Sequence, residues 1–309
     1  MFCSAYISEQ QEQQAKLHYP DSGCLYIPDG FEFTVGEGRY DIQSAERHFD
    51  RLLIFTEGDV WMAQEGASGL EEFPTANINS QIGCAVKGGS ALAENDPVSV
   101  GRSTVWQWSG ETDRLSERNA KRISSAIDPL LSSEDYRSAS LYHEGLRNEL
   151  WLNLKNRGEI FIYNLAQKGW VRWSGIYADR FFEADGVIGF LRDGKIFIFD
   201  AAMTEDFESE TDIRPISAIY QSGLIDFGDA RKKNLSRAIL EADTDGGSLR
   251  VSFFGNGTKE VRESFSEKNQ AHSTLCRRFC SGNFRYGTAR ILSEDRARPI
   301  LHALTLICR

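Results

Sequence analysis

The chain reads as an all-β protein, a degenerate β-propeller-like body followed by a C-terminal β-sandwich. Three observations predict this. Apolar stretches come in pairs joined by short glycine-containing turns, which is the signature of a hairpin. Several aromatic stretches alternate apolar and polar residues with period two. Helical spacing breaks the pattern in one segment.

Residues 1–48 form an opening segment of strands and arm. Leu17-His18-Tyr19 and Cys24-Leu25-Tyr26-Ile27 flank the turn signal Pro20-Asp21-Ser22-Gly23, and Phe31-Glu32-Phe33-Thr34-Val35 alternates as a strand does. Residues 49–212 make the propeller-like body. Arg51–Phe55, Glu57-Gly58-Asp59 and Val60–Ala63 read as strand, turn, strand. The same grammar returns in Glu149–Leu154 with Glu159–Asn164, and in Val187–Leu191 with Lys195–Asp200, the last pair joined by Arg192-Asp193-Gly194. Ser99–Trp108 and Gly169–Trp173 are aromatic strands between these units. A spacing of roughly 40–50 residues per hairpin pair is the size of a propeller blade, with room for about four.

The exception is Asp113–Leu131. Leu115, Asn119, Ile123, Ala126 and Ile127 fall near helical spacing, and Pro129 would end a helix. The spacing predicts a short helix or a loop with helical turns, followed by a surface loop at Ser132–Asp135. Ala201–Arg214 is acidic and weakly apolar and reads as a linker. Residues 213–309 form the sandwich. Its expected strands are Ile216–Phe227 with a bulge at Gly223, Lys232–Glu241, Ser248–Phe254, Thr258–Phe265, Thr274–Cys280, Thr288–Leu292 and Ile300–Cys308.

Composition narrows the function. The formal net charge is −10, so the surface repels phosphates and sequence-independent DNA binding is not expected. The same sign suits a passage through which DNA slides without sticking. The apolar runs, such as Ile160–Tyr163 and Ile196–Phe199, are strand-sized and far below the roughly 20 residues of a membrane span. The N-terminus lacks the basic start and apolar core of a signal peptide, which predicts folding in a cytoplasm. The six cysteines are irregularly spaced and are expected as free thiols.

No catalytic, cofactor-binding or metal-binding constellation is expected. The glycines do not form a phosphate loop, and Val35-Gly36-Glu37-Gly38 reads as a turn. Cys276 and Cys280 lie four apart, on one face of a strand, with no second pair at zinc spacing; His272 and His302 stand singly. His143 beside Glu144 could serve a propeller hydrolase, although a histidine near a turn is the plainer reading. Asp59, Glu149, Asp185 and Asp200 are positioned as carboxylates for a propeller glycosidase, against a background of 45 acidic residues. The tryptophans, Trp61, Trp106, Trp108, Trp151, Trp170 and Trp173, could line a sugar site or pack between blades; Trp106 and Trp108 share a face.

Four stretches resemble the hub or nozzle proteins of short-tailed bacteriophages, also called packaged-DNA stabilisation proteins. They are His48–Trp61; Phe73-Pro74 through Ile82-Gly83-Cys84 with Pro97–Gly101; Asn148–Leu152 with Gly169-Trp170; and Ile225-Asp226-Phe227-Gly228 with Arg231-Lys232-Lys233 and Gly247–Val251. The resemblance covers most of residues 40–309. It implies a structural virion protein of the neck or tail, made in the bacterial cytoplasm. It implies a homo-oligomeric ring, a hexamer, against the portal or adaptor ring and other tail proteins, with genomic DNA passing through the lumen and no membrane partner. The polar insertion Ser109–Arg122 is expected at the contact between subunits, through Arg114, Arg118 and Arg122. The alternatives are a carbohydrate-binding or glycoside-hydrolysing propeller and a cytosolic interaction module.

Overall fold

The computed structural model describes residues 34–36, 38–64, 74–109, 119–200, 203–209, 212–228, 231–256, 263–268, 273–278, 283–294 and 299–308. The strands expected before Thr34 lie outside these. The fold is all-β, with every ladder antiparallel. It divides at Phe199/Asp200 into two compact units.

The first unit is a succession of up-and-down sheets. The first holds β1 (Ile42–His48), β2 (Arg51–Thr56), β3 (Val60–Gln64) and β4 (Thr75–Asn79). The second holds β5 (Ser90–Ala93), β6 (Asp96–Val100), β7 (Val105–Trp108) and β8 (Ala120–Arg122). The third holds β9 (Ala139–Glu144), β10 (Glu149–Leu154), β11 (Glu159–Asn164) and β12 (Gly169–Ser174). The fourth holds β13 (Arg180–Ala184), β14 (Val187–Arg192) and β15 (Lys195–Ile198), one strand fewer than the others. The leading strands β1, β5 and β9 lie side by side, as the inner strands of propeller blades do.

The turns follow from local chemistry. Asp185-Gly186 and Asp193-Gly194 both take positive φ at both positions, the type I′ geometry that matches the right-handed twist of the strands they join.

Alternation then decides the stacking. Leu53, Phe55, Val60 and Met62 of the first sheet pack on Trp108 of the second. The opposite face of the second sheet, with Val98, Val100 and Val105, packs on Leu150, Leu152, Leu154 and Phe161 of the third. The far face of the third, with Trp151, Ile160 and Ile162, packs on Ile188, Phe181 and Phe199 around the fourth. Trp151 stands edge-on to Trp173, Phe181 and Phe199, each at 5.3 Å between ring centroids. Sheets two and three are therefore apolar on both faces.

A buried polar group holds each passage between sheets. Asn79 takes the backbone N–H of Gln81 and Ile82 on its Oδ1 and donates to Asn119, which donates in turn to the Ile78 carbonyl. Asn153 donates to the Ala178 carbonyl and accepts from the Ala178 N–H, at 2.8 and 3.1 Å. Asp128 does the same service between the second and third sheets, as described below.

Of the short helix or loop with helical turns expected over Asp113–Leu131, the described part is strand followed by loop with helical turns. Asn119 leads into strand β8, which pairs with β7 from Trp106↔Arg122 to Trp108↔Ala120. Asp128–Leu130 is a 3-10 turn with Pro129 in its first turn. Ile123 and Ile127 reach the core from an extended segment and a turn, so their spacing mimicked one helical face. The helix α1 begins at the predicted loop instead, at Ser133–Arg137, where Ser132 and Asp135 form a reciprocal capping box. The acidic stretch read as a linker contains a hairpin, β16 (Glu205–Ser209) and β17 (Asp212–Pro215), in which Asp206 stands opposite Arg214. The expected domain boundary at 212/213 falls inside β17.

Beyond the β16–β17 hairpin, the second unit holds two facing sheets. One is ordered β18 (Ala218–Gln221), β23 (Gly287–Ser293), β20 (Ser248–Gly255), β21 (Glu263–Lys268); the other is β22 (Ser273–Arg278), β19 (Leu235–Asp243), β24 (Ile300–Cys308). Leu240 and Ala242 of β19 meet Leu249, Val251 and Ile291, and Leu235 and Ala238 meet Phe253 and Phe284. This is the sandwich. The long strand expected over Ile216–Phe227 stops at Gln221, and Ile225 rejoins only as a single bridge to Gly287. Ser222 diverts the backbone there: its hydroxyl accepts from the Ala289 N–H.

Candidate assembly surface

Glu144, Asp59 and Glu149, singled out by sequence, hold the fold. Both Glu144 carboxylate oxygens accept backbone N–H groups of the following turn, from Leu146 at 2.9 Å and Arg147 at 2.7 Å. It is a turn cap, and it makes no acid–base pair with His143. Asp59 accepts the Thr56 hydroxyl across its hairpin turn. Glu149 accepts the Trp151 indole N–H at 3.0 Å. Asp185 supplies a positive-φ turn position. No group of three or more His, Cys, Asp or Glu among the described residues is placed to hold a metal ion. Cys84 is buried and free, its thiol pushed up by burial, and Cys308 is free and half-buried; Cys280 and His272 lie outside the described residues. Among the described residues no helix is long and apolar enough to cross a membrane.

The tryptophans are packing residues. Trp108 and Trp151 are fully buried. Trp106 and Trp108 do share a face, turned toward the first sheet, where the Trp108 indole donates to Ser99 Oγ at 2.9 Å. Trp170 donates to the Ile123 carbonyl and leans on Tyr163.

Of the three arginines expected at a subunit contact, Arg114 and Arg118 lie outside the described residues. Arg122 is tied down within its own chain. Its Nε reaches Asp128 Oδ2 at 2.5 Å and Thr104 Oγ1 at 2.9 Å, and its Nη2 pairs with the same carboxylate. Asp128 also accepts the hydroxyls of Ser124 and Tyr136, both at 2.5 Å, and that of Thr104 at 3.1 Å. Burial, the hydrogen bond to Asp128 and its charge push the Tyr136 phenol far above its usual range. Sequence reading missed this cluster because its members are spread from Thr104 to Tyr136.

What remains unused is apolar. The fourth sheet has two faces. Phe181, Phe190 and Phe197 stand opposite one another on the face toward the third sheet. The other face carries Phe182, Gly189 and Ile198 in one row and Arg180, Leu191 and Ile196 in the next. Ile196 and Ile198 are 67 % and 63 % exposed, and Val187 beside them is also exposed. Apart from Arg180 at its border, this face is apolar, and no described element covers it. β15 is also an edge, with half of its backbone groups unpaired by any described strand. In the second unit, β18 extends beyond the edge of the opposite sheet. A cavity of about 270 Å³ opens there, lined mostly by apolar residues such as Tyr220, Ile225, Leu304 and Leu306, with Ser222 and His302 among them.

No family model matches the chain, and no curated protein matches it. Among solved structures, one similar chain is described as a glycoside hydrolase; it is 11 % identical, over 85 % of this chain and 83 % of that chain, with a TM-score of 0.29. A score that low carries no argument about function.

Proposed function

We propose that this chain is a structural subunit of a bacteriophage neck or tail. It assembles into a homo-oligomeric ring that joins the portal or adaptor to the tail and retains and conducts genomic DNA. The observation that carries this reading is the apolar face of the fourth sheet, covered by no described element, with Phe182, Val187, Leu191, Ile196 and Ile198. A contiguous exposed apolar face marks a contact surface. The carboxylates of Glu144, Asp59 and Glu149 are engaged in turn and side-chain hydrogen bonds, which favours a structural reading over a glycosidase. The net charge of −10 suits a lumen that must not grip DNA.

The test is the mass of the purified chain by light scattering, alone and with lysate from phage-infected cells, followed by imaging of any large species. Rings, or single chains that become rings with viral partners, are expected. Single chains in both conditions that bind glycans on an array would overturn the reading.

A further inference from the structure

We propose that strand β15 of one copy pairs edge to edge with strand β24 of a second copy. This deepens the reading of a ring-forming subunit, on which it rests, by naming the two surfaces in contact.

Among the described residues, each of these strands is the outer strand of a three-stranded sheet. The fourth sheet has three strands where the preceding three have four. In the sandwich, the three-stranded sheet ends at β24 while the four-stranded sheet runs on to β18. Leu301 and Leu304 of β24 pack over Ile291 of β23. No described strand lies opposite β18, and Tyr220, which lies across from Ile291 on the inner face, is 54 % exposed.

Both edges are lightly guarded: β15 is short with a lysine at its start, and the β19–β24 ladder shifts register at His302. Natural edge strands are blunted by charged side chains, proline or bulges that point the edge away. β24 reads Ile-Leu-His-Ala-Leu-Thr-Leu-Ile-Cys, nine residues without an acidic side chain, lysine, arginine or proline. β15 has Lys195 alone, at its start. Strands built this way are shielded by a partner.

The two edges complete each other. With β15 placed beside β24 of the second copy, Ile196 and Ile198 enter the cavity against Tyr220 and Leu306 of that copy. Phe197, on the opposite face, keeps its stack on Phe190 at 5.1 Å. The β14–β15 and β19–β24 ladders become one continuous sheet across the contact. A symmetric pair of β24 strands fails on geometry: the overhanging β18 of each copy would fall where the β23 of the other must lie. A symmetric pair of β15 strands leaves the β24 cavity empty. The contact therefore joins two different surfaces, so it is heterologous and propagates from copy to copy, closing as a ring when the rotation allows.

The experiment uses the full chain and three variants. Ile196→Asp with Ile198→Asp breaks the β15 side, Tyr220→Asp breaks the β24 side, and Val171→Asp, at an exposed apolar position on β12, is the control. Circular dichroism verifies folding, with Ile198→Ser as the milder substitute if the double variant does not fold. The native chain and the control are expected at a multiple of 34.8 kDa, and either broken variant at 34.8 kDa. Mixing the two broken variants leaves one intact contact per pair, so a species of two chains and nothing larger is expected. Rings that persist in both broken variants would overturn this contact and leave the ring reading standing. Native chains that stay single, even with infected lysate, would overturn both.

Discussion

Asp128 shows how one side chain can set the join between two sheets. Its carboxylate collects Arg122, Thr104, Ser124 and Tyr136, and its side chain is 7 % exposed. Asp128→Ala should cost about 2–4 kcal/mol of unfolding free energy, since it leaves a cation and three hydroxyls without their acceptor; urea titration measures it. Arg122→Glu should destabilise the subunit as well, because it places two carboxylates together, so a loss of assembly in that variant must be read beside its melting curve. Tyr136 carries a pH signature. The unfolded phenol ionises near pH 10, and the folded one holds its proton above that. Its stabilisation is full below about pH 10 and is lost as pH rises toward the folded value. Tyr136→Phe should lower stability at neutral pH by about 1 kcal/mol and flatten the decline above pH 10, as read from melting temperatures. An unchanged alkaline slope would contradict this. None of this network could be seen in sequence, where Asp128 is one acidic residue among 45.

At the scale of the element, the fourth sheet is the telling case. Gly189 lies under Phe182: a Cβ there would sit 2.3 Å from the Phe182 ring and 2.8 Å from the Phe197 carbonyl oxygen. Gly189→Ala should cost about 1–3 kcal/mol by overpacking. Phe182→Leu in the same chain should recover part of it, and thermal melts of the single and double variants decide. The hairpins of this sheet were legible because their signal is local: an Asp-Gly pair between two apolar strands needs no distant partner. The hairpin β16–β17 was not, because polar strands lack the alternation that marks a strand, and their ladder became visible only when Asp206 and Arg214 were placed opposite each other. The short helix α1 has a local cue in Ser132 and Asp135, three residues apart, which is weaker in sequence than the longer but accidental spacing around Ile123 and Ile127.

For the whole molecule, two units with separate cores should unfold separately. Calorimetry of the full chain is expected to show two transitions, and a fragment of residues 200–309 should keep one of them, whereas a single transition with an unfolded fragment would contradict two independent cores. If the chains assemble through β15 and β24, the transitions of both units should also rise with protein concentration, because association stabilises the folded state. By itself the sequence determined the all-β class, the Asp-Gly hairpins and the succession of apolar strands, because period-two alternation and turn chemistry act between residues close in the chain. Only the tertiary structure decided which faces those strands bury and which edges stay open. Burial depends on what lies opposite, and the partners, such as Asn153 with Ala178 and Arg122 with Asp128, are set by how the sheets stack.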